Sequence, residues 1–379
     1  MPFLCVLVFI WGCNLKRGVV VNGNRDPGKF AKVVNVYCDN SLSDVGALNC
    51  AISDSAVGSE IAIHGICLIN RTIVLEGDRS YIGDSRTGTV IRQAKGANLL
   101  AMLASDSWNS SSLRTGDGIR IAHMTLDGNS GGGGGNRTNA LVIRSWESVV
   151  EDIQVENASG DGIRITTYGQ NGTPATKLKF NQVNGTISNV FIMNSGRNGI
   201  HVVDSVNSAT DWNLMNSWIA DSGESGINME NAAGWKITGN HIYGVQQNAI
   251  YARRCYATTI ANNYIEDFGD AGGTTTHYGI ACTAQGAAAS IISGNKVFHF
   301  NHESGSGDYV YIGIPRVRYG IGIINVVNNV IDGTNGKHDI GLLYEVGKGE
   351  GLKVWSSNNV QNVAIRRIAG KGVTFVAPQ

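Results

Sequence analysis

The chain has 379 residues, with 50 Gly, 37 Asn, 5 Pro and 7 Cys, and its 30 basic side chains balance 30 acidic ones. Abundant Gly without a three-residue period or much Pro excludes collagen. A 42% hydrophobic share with only 16% charged residues excludes a disordered chain, and zero net charge argues against a nucleic-acid binder, which needs a basic footprint.

Phe3 to Cys13 is an apolar run of signal-peptide length, too short to span a bilayer. Ile10-Trp11-Gly12-Cys13 faintly resembles a bacterial lipoprotein signal with Cys13 as anchor, although Lys16 and Arg17 follow the run instead of preceding it. Residues 1–20 therefore read as the leader of a secreted or extracellular chain, and no other segment could cross a membrane. Residues 21–60 read as an N-terminal cap. Ser43 is positioned as a helix N-cap, and Val45, Leu48 and Ile52 share one helical face that would plug the first layer of whatever follows. Cys38, Cys50 and Cys67 lie close together near this end, so two of them could be bridged. No C-x-x-C pair occurs, which argues against zinc.

From about residue 61 to 370 the sequence repeats, with 371–379 left as a tail. A polar or small turn, then Gly-Ile, then alternating residues recurs as Asp161-Gly162-Ile163-Arg164-Ile165, Asn198-Gly199-Ile200-His201-Val202 and Ser225-Gly226-Ile227-Asn228-Met229. Asn248-Ala249-Ile250-Tyr251-Ala252 and Tyr278-Gly279-Ile280-Ala281-Cys282 continue it, and Asn139-Ala140-Leu141-Val142-Ile143 is a degenerate earlier copy. A second pattern, apolar-x-x-Asn-x-apolar, interleaves at Asn240, Asn263, Asn295 and Asn328-Asn329. Each repeat thus holds two or three short strands of period two and no helix, which excludes repeated βαβ units. The expected architecture is an all-β parallel β-helix, a solenoid in which like strands of successive coils stack. Asn at the turns tolerates the left-handed conformation and forms side-chain ladders, and Gly supplies positive φ. Long departures at Gly131–Gly135, Thr167–Thr186, Phe268–Thr276 and His302–Arg318 read as loops.

With Thr89-Val90-Ile91-Arg92 and His123-Met124-Thr125-Leu126-Asp127-Gly128-Asn129 added to these coils, the chain resembles the right-handed parallel β-helix, or pectate-lyase-like, superfamily over about residues 30–370. The resemblance implies a secreted or phage-borne protein acting on acidic or neutral polysaccharides, as a lyase, hydrolase, epimerase or tailspike depolymerase. Asn-Thr-Asp, Asp-Asp, Gly-His-Gly and Arg-Ile-Lys are all missing, so the polygalacturonases are not matched. Neither is the calcium cluster of the pectate lyases proper. No cofactor is therefore assigned, and Ca²⁺ has no motif behind it.

Alternation places a surface on this scaffold. If each Ile points inward, the next residue points out, giving an outward column Val142, Arg164, His201, Asn228, Tyr251, Ala281. Two residues on runs Arg144, Thr166, Val203, Glu230, Arg253, Thr283, and a turn column holds Gly160, Arg197, Glu224, Gln247, His277. Neighbours in a column lie about 4.8 Å apart. Cys255 and Cys282 fall at unequal positions after their Ile, which does not favour a disulfide between them. His201, Tyr251, Glu230 and Arg253 are the candidate catalytic residues; Arg164, Asn228, Arg197, Glu224, His277 and Tyr278 are the candidate substrate contacts. No metal site is read. A uronate lyase would use the Arg and Asn side chains on the carboxylate and His201 or Tyr251 for proton transfer. A hydrolase would instead need Glu230 with a second carboxyl from Glu224, Asp204 or Asp161. A plain surface reading stands beside both, with Glu230–Arg253 a cross-strand ion pair on a non-catalytic glycan-binding or adhesive β-helix. Tyr168, Trp212, Trp218, Tyr243 and Tyr278 are candidates to stack on sugars, whereas Trp235 and Phe191 read as core. Partners are poly- or oligosaccharides, with no nucleic acid and no transmembrane segment; an oligomer is compatible with this class.

Overall fold

The computed structural model describes residues 19–22, 32–129, 137–175, 182–300 and 305–376. All of the proposed leader up to residue 18, Cys13 included, the five-Gly run and parts of two expected loops lie outside the described residues.

The coils form as the repeats demand. Eleven strands stack in chain order into one sheet, from Ile73–Leu75 to Ile365–Ala369. The Gly-Ile copies occupy its middle, with Leu141, Ile163, Ile200, Ile227, Ile250 and Ile280 in register. The remaining strands line the other walls. Thr186–Ser188, Asn213–Met215, Lys236–Thr238, Thr259–Ala261 and Ala289–Ser293 pair in parallel, and so do Phe191–Met193, Trp218–Ala220, His241–Val245, Tyr264–Phe268 and Lys296–Phe298. The inward Ile, Leu and Val of all walls merge into one continuous apolar core. Parallel pairing begins at Val33–Asp39 and continues to Val373–Phe375.

Asn performs two distinct jobs at the turn between those walls. Asn189, Asn216, Asn262 and Asn328 sit at positive φ, and Gly239 and Gly294 complete the same column at 68° and 66°. From Gly239 onward the next residue is a buried carboxamide: Asn240, Asn263, Asn295 and Asn329. Asn240 Nδ2 donates to Asn263 Oδ1 at 2.9 Å, Asn263 to Asn295 and Asn295 to Asn329 at 2.9 Å each, and Asn329 to Asn358 at 2.8 Å. Every rung is satisfied by the coils above and below. Asn263→Ala is therefore expected to cost about 2–4 kcal/mol, because it deletes four side-chain bonds and orphans buried Asn240 and Asn295 groups; chemical denaturation measures this, and a loss under about 0.5 kcal/mol would deny the ladder its role.

The Gly of the Gly-Ile repeat has a different cause from the expected one. Gly199 is absent from the positive-φ residues, but a Cβ there would stand 2.4 Å from Ile219 Cγ2 and 2.8 Å from the Gly226 carbonyl. At Gly199 the coil is too tight for any side chain, whereas the equivalent corners of two other coils hold Ala140 and Ala249.

At the N-terminal end the helix Asp44–Ser53 buries Val45, Leu48 and Ile52 over the first coils, as the sequence indicates. Its cap differs. Ser43 makes no capping hydrogen bond; instead the Asp44 carboxylate accepts from the backbone N–H groups of Ser41 and Leu68. Cys38 is bridged to Cys67, and Cys50 is also disulfide-bonded. Cys255 and Cys282 are bonded too, contrary to the register argument. A bulge between Ala252 and Cys255 inserts an extra residue opposite Cys282–Ala284 and brings the two Cα atoms to 5.7 Å. Among the described residues no helix is long and apolar enough to cross a membrane.

Candidate active site

The register places Val142, Arg164, His201, Asn228, Tyr251 and Ala281 side by side on consecutive strands, as the alternation requires. Val203 pairs with Glu230, and Arg197 and Glu224 follow one another at the turn. Arg164, His201, Glu230, Arg197 and Glu224 are thereby brought together, with Arg253 on their rim.

Their organiser is Asp161, which is fully buried. Its Oδ2 accepts from Arg164 Nη1 and His201 Nδ1, both at 2.9 Å, and lies 4.0 Å from Arg197 Nη1. Its Oδ1 accepts from Asn198 Nδ2 at 3.0 Å. Burial alone would raise its pKa; the hydrogen bond and charge of His201, the charge of Arg164 and the Asn198 amide together hold it well below the usual carboxylate range.

His201 lies at the floor, only 5% of its side chain exposed, between two carboxylates. Nδ1 faces Asp161, and Nε2 faces Glu230 Oε1 at 3.4 Å. Desolvation pulls its pKa down, but the hydrogen bonds to Asp161 and Glu230 outweigh that and leave it above the ordinary histidine value. Glu230 is 38% exposed; its bond to His201 is the main cause lowering its pKa, with Arg253 at 4.0 Å adding to it. Arg253 also lies 5.0 Å over the Tyr251 ring, whose other neighbour is the parallel ring of Tyr278 at 6.3 Å. Asn228 sits between His201 and Tyr251, and its Oδ1 has no hydrogen-bond partner. Arg197 Nε donates to Glu224 at 3.2 Å, and Asn198 Nδ2 bridges to the same carboxylate at 3.1 Å.

Several expected members stand elsewhere. His277 is buried, bonds the Gly272 carbonyl through Nε2 and packs on Tyr309, so it serves the core. Tyr278 is half-buried against Val310, Ile340 and Leu343, and burial pushes its hydroxyl up to about 12. Arg144 leaves the outward column altogether. It is fully buried and donates to the carbonyls of Thr167, Ser107 and Ser112, tying the Asp106–Asn109 helix and the segment after it to the sheet. Trp212 is core rather than a sugar platform, stacked on Trp235 with each indole N–H bonded to a carbonyl. Phe191, read as core, is only partly buried and meets Trp218 edge-on at the outer wall.

Asn198 was not singled out, and Asp161 only as one carboxyl among several. Both precede the Gly of the repeat, as do Ser225 and Asn248 one residue before Gly226 and Ala249, and this position forms a second polar ladder. Ser225 N–H donates to Asn198 Oδ1, Asn248 to Ser225 Oγ, and Tyr278 N–H to Asn248 Oδ1. The signal was present in the repeat: one copy carries an acid where the others carry neutral polar residues.

No protein-family model matches the chain, and no curated protein sequence does. Solved structures do. The A-module of an Azotobacter vinelandii mannuronan C-5 epimerase superposes with TM-score 0.55 and 16% identity, covering 90% of this chain and 97% of that one. The tailspike of E. coli bacteriophage HK620, solved with a pentasaccharide, gives 0.61 and 12%, covering 90% of this chain and 62% of that one. PfbA, a surface adhesin of Streptococcus pneumoniae, gives 0.57 and 14%, covering 87% and 90%. The chain is a right-handed parallel β-helix. At such identities the likeness is one of fold, and it assigns no chemistry to the Asp161–His201–Glu230 cluster.

Proposed function

We propose that the protein is an exported, glycan-active enzyme that cleaves a uronate-containing polysaccharide by β-elimination. The observation that carries this reading is His201, seated on buried Asp161 with Nε2 turned to the accessible rim. In the reaction, neutral His201 removes the proton on C5, the electron pair forms the C4–C5 double bond, and the C4–O bond breaks as Tyr251 protonates the leaving oxygen. Arg164, Arg197 and Arg253 meet the substrate carboxylate, whose neutralisation acidifies the C5 proton. A hydrolase would need one carboxyl held protonated; Asp161 and Glu230 are both shifted the other way, and Asp204, which burial does push up, is engaged by the N–H groups of Val206 and Ala209. The disulfides and the epimerase, tailspike and adhesin neighbours support an extracellular, glycan-directed role.

The test is to incubate the protein with a panel of uronate and neutral polysaccharides, following both the ultraviolet absorbance of unsaturated uronate and new reducing ends. Absorbance with reducing ends supports elimination; reducing ends alone indicate a hydrolase; neither, with binding retained, indicates an adhesin. Glu230→Gln separates the two enzymes further. The Glu230 bond favours the imidazolium form of His201, so its loss lets His201 deprotonate at lower pH. The rising limb of the kcat/KM profile should then move to lower pH with turnover retained. Abolished turnover would instead mark Glu230 as the reacting carboxylate.

A further inference from the structure

Beside this cluster lies a charge arrangement that the proposed chemistry does not use. Asn231, directly after Glu230, adopts φ 58° and presents its carboxamide oxygen to two guanidinium groups. Arg254 Nη1 donates to it at 2.9 Å and Arg318 Nη1 at 2.8 Å. Arg254 reaches it from the bulge that also carries Arg253, and Arg318 from the segment that follows the strand Tyr309–Ile314. Arg254 Nη2 contacts the Tyr319 hydroxyl at 3.4 Å, and its Nε has no acceptor. Among the described residues neither Arg forms an ion pair with a carboxylate. Asp204, on the preceding coil, is engaged elsewhere, its carboxylate accepting from the N–H groups of Val206 and Ala209, while its main-chain oxygen accepts from Asn231 Nδ2.

Two full positive charges on one neutral amide oxygen repel each other, and the arrangement is relieved when an anion joins them. We infer that Arg254 and Arg318, aligned by Asn231 and flanked by Tyr319, form a subsite for a second sugar carboxylate, next to the one that receives the reacting uronate. This rests on the reading of the substrate as a polyuronate: a chain whose reacting residue lies against Arg253 carries further carboxylates past the bulge. Planar guanidinium forks match carboxylate geometry, so the subsite selects acidic over neutral sugars.

Two measurements test it separately from the enzyme reading. Sodium glucuronate is titrated into the ¹⁵N-labelled protein while the Arg Nε–H resonances are followed, those of Arg254 and Arg318 being identified by their loss in Arg254→Gln and Arg318→Gln. Saturable shifts with glucuronate and none with glucose are expected; silent resonances, or equal shifts with sodium chloride at matched ionic strength, would overturn the subsite. In turnover, the doubly substituted protein, checked for an unchanged melting temperature, should show a KM for uronate polymer raised about tenfold with kcat held. An unchanged KM overturns the proposal. Responding arginines in a protein that cleaves no uronate polymer would leave the carboxylate subsite standing and reject the elimination reading.

Discussion

Replacing Asp161 by Ala is expected to destabilise the protein by about 3–5 kcal/mol, the largest single-residue loss in the cluster. The carboxylate is fully buried and answers Arg164, His201 and Asn198, with Arg197 close by. Its removal leaves these donors partly buried beside one another without a counter-charge, which costs more than the bonds themselves were worth. Asp161→Asn keeps the shape but not the charge and should fall between. The pH dependence follows in sign from the two shifts. Because folding lowers the Asp161 pKa, its contribution is present above the unfolded value, about 4, and is lost as pH falls below it. Because folding raises the His201 pKa, its contribution is present below about 6.5 and is lost as pH rises through the folded value. Denaturant titration across pH should therefore show wild type most stable between these limits, with the acid-side loss flattened in Asp161→Asn. A variant as stable as wild type, with the same acid-side slope, would mean that the cluster is surface decoration.

His201→Ala should lower turnover on the responsive polysaccharide by about 10²–10⁴-fold, the range for loss of a positioned proton-transfer group. Tyr251→Phe removes the other partner and should fall in the same range. Neither side chain carries the core: His201 lies at the floor of the site beneath Glu230, and Tyr251 stands at its rim under Arg253. Tyr251→Phe should melt close to wild type, whereas His201→Ala, which takes a hydrogen bond and a charge from buried Asp161, should melt lower but remain folded at the assay temperature. Added imidazole should partly restore His201→Ala and leave Tyr251→Phe unchanged, which a merely structural role for His201 would not produce. Full activity in both variants would reject this site.

The site column could be drawn from alternation because parallel coils repeat register rigidly: once Ile163, Ile200, Ile227 and Ile250 are inward, the identity of their neighbours is decided. The turn column Arg197–Glu224 was equally readable, since a coil closes at the same place each time. The misplacements share one cause, which is that alternation breaks where the coil does. Arg144 comes at the end of its strand, where the chain departs to meet the Asp106–Asn109 helix, so it turns inward onto carbonyls. The Cys255–Cys282 bond depends on one bulge. His277 follows the Phe268–Thr276 loop, and the Gly272 carbonyl supplied by that loop captures it.

By itself, then, the sequence determined the solenoid, its Asn ladders, the wall on which polar chemistry collects and the order of residues along it. These follow from local periodicity and from stacking one coil on the next. Tertiary structure alone decided that Asp161 is buried beneath His201, that Glu230 reaches the same imidazole, and that Arg254 and Arg318 meet on Asn231. Each of these depends on how side chains from different coils turn toward one another in a desolvated space, where a single hydrogen bond sets both position and charge, and no spacing along the chain encodes that.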